Sequence, residues 1–378
     1  MIADVVLWRI AGDHDAAVGW PVHLGSATTI VFALGTLYVS RAGRPLPHPV
    51  LWGSGALLVV LALDLVGQVV TGGGKAGAFH PTHAGVAVAV LTAAAASVSL
   101  YLLALRRLPT NGPLHLEQTD GRDPAVVFVH GLGASGRYWE AVVARLDDRR
   151  TVSVHLLGFG RSAKPRRASY DVDCHCAALA RHVPDGSIVV AHSVGASVAL
   201  RVAARHPSRV AGLVLIAPPA HPDAETARDQ ISELGTLARL VAHERPAAVA
   251  MCQVMCMLRP FAAAAAPLIR PDLPTHVAVD GVLHTWPSYS RTLQRVVIDH
   301  RIDDDLGALA IPLVVVAGTD DPVAPIDHIR SALDCAGAGP EVLRAIPDGG
   351  HHLILHEPGR VTEAIELVIE AGTHPSRH

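Results

Sequence analysis

At 378 residues the chain is longer than one small domain requires and suits two. Half of its residues are hydrophobic, only 17% are charged and the mean hydropathy is positive, which points to a membrane-embedded part. A formal charge of −3 gives no basis for nucleic-acid binding, and five cysteines without a disulfide-framework spacing suit a reducing compartment.

The apolar excess is concentrated near the amino terminus. Residues 22–40, 50–70 and 83–105 are each about 20 residues long and nearly free of charge, enough at 1.5 Å per residue to cross a hydrocarbon layer. A soluble three-helix bundle is the alternative, but none of the three stretches shows a polar face for water. Residues 1–10 are too short for a span and carry Asp4 and Arg9, which also argues against a cleavable signal peptide. Arg41, Arg44, Arg106 and Arg107 flank the spans on one side, against Arg9 and Lys75 on the other. That asymmetry predicts an outside amino terminus and a cytoplasmic remainder. Asp64, Gln68, His80 and His83 lie at membrane depth; bonding to neighbouring helices and a functional role are both open for them. The region 1–108 thus reads as transmembrane, and residues 109–113, rich in Pro, Asn and Gly, as a linker.

From residue 114 to 373 short β-branched runs alternate with helical patterns, leaving 374–378 as a tail. Strands are expected near 114–118, 125–129, 151–156, 187–190, 210–216, 311–317 and 341–346. The alternation predicts an α/β fold with a mainly parallel sheet covered on both faces, its working groups at the carboxyl ends of the strands. The run at 187–190 breaks at Ala191-His192-Ser193-Val194-Gly195, and an Ala-rich helix pattern follows at once. Strand, tight turn and helix form the setting in which a serine hydroxyl is held exposed on a strained corner, with Ala191 in place of the usual first glycine. His130-Gly131-Leu132-Gly133 follows the 125–129 strand, where glycines let backbone N–H groups approach a ligand oxygen. Gly318-Thr319-Asp320-Asp321 and Gly349-Gly350-His351-His352 end the last two strands.

Four such motifs in this order resemble the α/β-hydrolase superfamily, in its branch of serine esterases, carbon–carbon bond hydrolases and perhydrolases. The resemblance implies an α/β-hydrolase fold with a helical cap at about 218–310. It makes Ser193 the nucleophile and Asp321, rather than Asp320, the acid. His352 becomes the base, because it stands five residues before Glu357-Pro358. It places an oxyanion hole at the N–H groups of Leu132 and Val194, with His130, Gly131, Gly133, His192 and Gly195 as supporting motif residues. His155 stands where the family often has aspartate. The chemistry implied is acyl transfer to Ser193 and hydrolysis by water, with no metal and no organic cofactor.

Within 218–310, Met251, Met255 and Met257 lie among small apolar residues, an adaptable greasy surface that fits a small hydrophobic acyl ester, with lipid entering from the bilayer one possibility. Cys252 and Cys256, and Cys174 and Cys176, lack the second half of a zinc site. The reading is therefore a multi-pass membrane serine hydrolase with its catalytic domain cytoplasmic. Perhydrolase, carbon–carbon hydrolase, thioesterase and acyltransferase chemistry on the same fold remain open, as does a non-catalytic receptor for a small apolar ligand. The natural substrate and the oligomeric state are not legible in the sequence.

Overall fold

The structure is a computed structural model that describes residues 112–373 apart from residue 147. The three apolar stretches, with Asp64, Gln68, His80 and His83, lie outside the described residues. Among the described residues no single helix is long and apolar enough to cross a membrane. One pair, Pro246–Cys256 and Phe261–Ile269, reaches the required length and composition only when taken together.

All seven expected strands form: β1 (Leu116–Thr119), β2 (Arg122–Val129), β3 (Arg149–Val154), β4 (Ser187–His192), β5 (Val210–Ile216), β6 (Leu313–Gly318) and β7 (Leu343–Ile346). They make one sheet in the order β1-β3-β2-β4-β5-β6-β7. β1 runs antiparallel to β3, and every other pairing is parallel. The inner strands are continuous apolar runs because helices cover both faces; residues Ala125 to Val129 and Ile188 to Ala191 are all buried. Register aligns the business end: Val129 pairs with Ala191, and His192 with Ile216. Chain order reverses between β2 and β4, so the loops leaving these two strands flank a topological switch point, where open α/β sheets bind ligands.

Before the cap lie α1 (Glu140–Val143), α2 (Val172–Leu179) and α3 (Val194–Arg205). The Asp171 carboxylate accepts from Cys174 N at 2.8 Å and so caps the start of α2. Between β5 and β6 come α4 (Ala224–Glu233), α5 (Thr236–Ala242), α6 (Pro246–Met257), α7 (Arg259–Ile269), α8 (Thr275–Asp280), α9 (Trp286–Thr292), a π turn at Leu293–Ile298 and α10 (Asp303–Gly307). Asp223 caps α4 through Thr226 N, and Thr285 with Ser288 forms a capping box on α9. The Asp303-Asp304-Asp305 run is the first turn of α10, where carboxylates face the positive helix end; Asp305 also accepts from Arg201 Nε at 2.8 Å. The chain closes with α11 (Ile326–Cys335), α12 (Leu353–His356) and α13 (Pro358–Thr373). Gly212 on β5 lets α13 sit close, since a Cβ there would be 2.2 Å from Val368 Cγ1.

The described residues fall into two compact units, of which 112–256 with 270–373 is the larger and carries the site. Helix α7 is the described part of the other, a short Ala-rich helix with Pro267 inside it.

Candidate active site

Ser193 follows β4 and precedes α3 with φ 51° and ψ −122°, a conformation that costs a non-glycine residue about 1–3 kcal/mol and that surrounding structure must enforce. The enforcement is visible on both sides. Ser193 N donates to Ile216 O at 2.9 Å, and Ala196 N donates to Ser193 O at 2.8 Å. A Cβ on Gly195 would lie 2.6 Å from the carbonyl oxygens of both His130 and Val129, so only glycine lets the helix start slide against the end of β2. From the other strand, a Cβ on Gly131 would lie 2.9 Å from His192 Nδ1 and 3.2 Å from Ser193 Cβ. The two glycines interlock the His130 loop and the serine corner. Ala191, fully buried against Val129, takes the place where glycine is usual without disturbing either contact.

His130 is a neutral strut. Its Nε2 accepts the N–H of Leu156 at 2.9 Å, which leaves the proton on Nδ1 to donate to Gly131 O at 2.7 Å. Burial holds its pKa down to about 3, so this tautomer persists at neutral pH. The Gly131 carbonyl and the Leu132 N–H share one planar trans peptide, so fixing the carbonyl also aims the N–H the opposite way. Val194 is the first residue of α3, where backbone N–H groups have no partner inside the helix. The two expected oxyanion donors therefore sit on segments with fixed orientation. Gly133 adopts φ 68°, and the ring of Tyr289 from the cap lies against it.

The expected acid and base come from the loops after β6 and β7. Asp321 is buried, and its Oδ1 accepts from Val323 N at 2.8 Å and Ala324 N at 3.0 Å. Its Oδ2 lies 2.8 Å from Nδ1 of His351. Asp320, by contrast, is exposed and only takes the Thr319 hydroxyl. The expected pairing of His352 with Asp321 is corrected here: the partner is His351. Consecutive residues on this turn point to different sides. His351 faces Asp321 and the ring of His192, with centroids 4.7 Å apart, whereas His352 faces Tyr138 Oη at 2.8 Å from its Nδ1 and Arg270 Nη2 at 3.2 Å from its Nε2. Burial and neighbouring cationic groups hold the His352 pKa down to about 4. Counting five residues back from Glu357 reaches His352, but the short helix α12 sets the turn one residue out of step with that count.

His192 joins the two halves. It precedes Ser193 in the chain, and its Nε2 donates to the backbone carbonyl of His351 at 2.9 Å. Burial, then the nearby His351 and His352, keep its pKa well below the ordinary histidine value.

His155 does organise its loop despite replacing the usual aspartate. Its Nδ1 accepts the Arg161 N–H at 3.2 Å, its Nε2 stands 3.4 Å from Glu117 Oε1, and its ring packs edge-on against His115. The donor atoms of His115, Glu117 and His155 lie within 4.8 Å of one another, near enough for a cation. The chemistry does not fit one: accepting at Nδ1 places the proton on Nε2, which then donates toward Glu117 and offers no lone pair. The pair lowers the Glu117 pKa and fixes the loop of Gly158 and Gly160 beside β3. Sequence reading flagged His155 but not Glu117 on β1 or His115 just before it, which become its neighbours through the antiparallel pairing of β1 with β3.

Comparison with known proteins fits this architecture. A family model described as the alpha/beta hydrolase family matches residues 126–364. The chain is 39% identical over 105 residues to the probable lysophospholipase BODYGUARD 4 of Arabidopsis thaliana, a match that covers 26% of this chain and 25% of that protein. It is 34% identical over 126 residues to lipase LipV of Mycobacterium tuberculosis, covering 32% of this chain and 48% of the lipase. The chain thus spans half or less of the length of these two curated relatives. In structure it resembles a bromoperoxidase from Bacillus anthracis with a TM-score of 0.53 at 19% identity, covering 69% of this chain and 97% of that one, a likeness of fold. The chain belongs to the alpha/beta hydrolase family.

Proposed function

We propose that the protein is a serine hydrolase that cleaves a carboxylic ester with a hydrophobic acyl group through Ser193, His351 and Asp321. The observation that carries this reading is the meeting of a strained serine and a histidine bonded to a buried carboxylate at one point, His192, which adjoins Ser193 in sequence and His351 in space. In the reaction, His351 donates a hydrogen bond from Nδ1–H to Asp321 and so keeps Nε2 as the base nitrogen. Ser193 Oγ attacks the ester carbonyl while its proton passes to Nε2. The negative oxygen formed takes hydrogen bonds from the Leu132 and Val194 N–H groups, each worth about 10²–10³ in rate. The carbon–oxygen bond to the alcohol then breaks, the alcohol leaves with the proton from His351, and water repeats the cycle on the acyl-enzyme. Tautomer control supports the same assignment, since His352 turns its Nδ1 to a tyrosine hydroxyl and its Nε2 to Arg270, whereas His351 turns its Nδ1 to the Asp321 carboxylate.

Support for an ester comes from the lysophospholipase and lipase that the chain resembles in part. The methionines and small residues of the cap suit an apolar acyl chain, with Met251 and Val254 exposed on α6 and Leu237 on α5. Membrane attachment with a cytoplasmic catalytic domain belongs to the same proposal and rests on the charge-poor stretches 22–40, 50–70 and 83–105 and their flanking arginines. The test is labelling by a fluorophosphonate probe alongside turnover of 4-nitrophenyl esters graded by acyl length. Wild type is expected to label and hydrolyse, and Ser193→Ala to do neither. An unlabelled, inactive wild type contradicts the reading. A reporter fused at the amino terminus tests topology; a cytoplasmic signal there overturns the orientation.

A further inference from the structure

Arg270, the first residue after α7, has no part in the chemistry above, yet it stands beside it. Its Nη2 donates to His352 Nε2 at 3.2 Å, and His352 is the residue after the proposed base. That bond fixes a chain of donors. With Nε2 accepting, the His352 proton sits on Nδ1 and donates to Tyr138 Oη at 2.8 Å. Tyr138 Oη, having accepted, keeps its own O–H to donate onward. The Tyr138 ring lies 5.3 Å from that of His192, the residue before Ser193. Arg270 Nη1 makes no hydrogen bond among the described residues, and the side chain is 47% exposed. Burial holds His352 neutral and pushes the Tyr138 hydroxyl well above the usual phenol range, so it stays protonated. The cluster therefore offers one exposed positive charge, the Arg270 guanidinium, held beside His352 with the buried Tyr138 hydroxyl behind it. Such a set recognises an acceptor with negative charge.

We infer that Arg270, with Tyr138 and His352, forms a subsite for an anionic oxygen group on the substrate, so that the favoured ester carries a carboxylate or phosphate near its scissile bond. This rests on the hydrolase reading for its location but not for its existence. Asp272 opposes it, since it accepts from Arg270 Nε at 2.9 Å and from Nη2 at 2.7 Å. The carboxylate is 50% exposed and the pair spans two residues on the surface, a type of ion pair that contributes little and that an incoming anion can displace. Asp272 thus acts as an internal competitor, which gives the proposal opposite predictions for two neighbouring residues.

Two measurements separate the subsite from the chemistry. Isothermal calorimetry with succinate and with methyl phosphate, neither of them a carboxylic ester, reads binding without turnover. Wild type should bind at least one of them, Arg270→Gln should weaken it about tenfold, and Asp272→Asn should tighten it. The stronger of the two ligands identifies carboxylate or phosphate. Where turnover is measurable, the ratio of kcat/KM for a 4-nitrophenyl hemisuccinate to that for 4-nitrophenyl butyrate should fall about tenfold in Arg270→Gln and rise in Asp272→Asn. Absence of anion binding in wild type, or equal binding in wild type and Arg270→Gln, overturns the subsite. Loss of fluorophosphonate labelling with anion binding intact would instead overturn the hydrolase reading and leave the subsite standing.

Discussion

The carboxyl edge of the sheet and the cap that follows β5 are built on opposite terms. At the sheet edge the contacts are close and specific: Gly131 and Gly195 touch the facing loop, His130 bonds at both nitrogens, and Asp321 accepts three hydrogen bonds. The cap is a series of short helices that leaves Leu234, Leu237, Met251 and Val254 exposed. Chemistry demands geometry held to fractions of an ångström, whereas recognition of an acyl chain demands only an apolar surface of suitable shape. Substitutions at the edge should therefore act through geometry and be severe, and substitutions on the cap surface should be mild.

The largest effect is expected at the adjacent histidines. His351→Ala should lower kcat on 4-nitrophenyl butyrate by about 10³–10⁴, because without the base only the oxyanion donors and binding remain. His352→Ala should lower it by no more than about tenfold. Steady-state kinetics on purified variants reads both; equal losses would dissolve the distinction drawn between the two residues. Next comes His130, a positioning residue that aims the Leu132 N–H through the Gly131 carbonyl. His130→Leu should reduce kcat by about 10² with KM little changed, the size of losing one oxyanion donor. A KM effect without a kcat effect would place His130 outside that role.

Gly195→Ala tests the interlock directly. Its Cβ would meet two carbonyl oxygens at 2.6 Å, so β2 and α3 must part. Urea unfolding should show a loss of about 1–3 kcal/mol, the usual cost of overpacking. Acid should also lower stability through buried histidines. His130 and His175 are buried and neutral with pKa values near 3 and 4, lowered chiefly by burial. An unfolded histidine takes a proton near pH 6.5, so the unfolded state binds more protons and stability falls as pH drops below 6.5 toward 4. Between pH 6.5 and 5 each contributes a loss of about 1.5 kcal/mol, read from urea midpoints. His175→Asn should flatten that slope. The smallest effect is expected on the cap, where Leu237→Ser should change stability by less than about 0.5 kcal/mol. A larger loss would mean that the exposed face is covered.

The sheet was readable because its inner strands are buried on both faces, and a run such as Ala125 to Val129 has no other stable use in this context. The serine corner was readable for a local reason: Ala191 and Gly195 flank Ser193 at fixed offsets set by one strand–helix turn. Asp321 could be separated from Asp320 only through the resemblance, by the family's Gly-x-x-Asp spacing from Gly318, and the structure buries Asp321 and leaves Asp320 exposed. The base could not be separated in the same way. His351 and His352 are identical side chains on one loop, and which faces Asp321 depends on backbone angles around α12 that no spacing encodes. Arg270 and Glu117 were invisible for another reason. Each meets its histidine across a long sequence separation, His352 for one and His155 for the other, and nothing in either local pattern marks a partner.

The account depends most on the claim that His351, held by Asp321, activates Ser193. The direct measurement is the second-order rate of fluorophosphonate labelling at Ser193 in wild type, His351→Ala and His352→Ala, followed by intact mass. The account predicts labelling slowed by about 10³ or more in His351→Ala and within about tenfold of wild type in His352→Ala. Fast labelling of His351→Ala together with slow labelling of His352→Ala would contradict it.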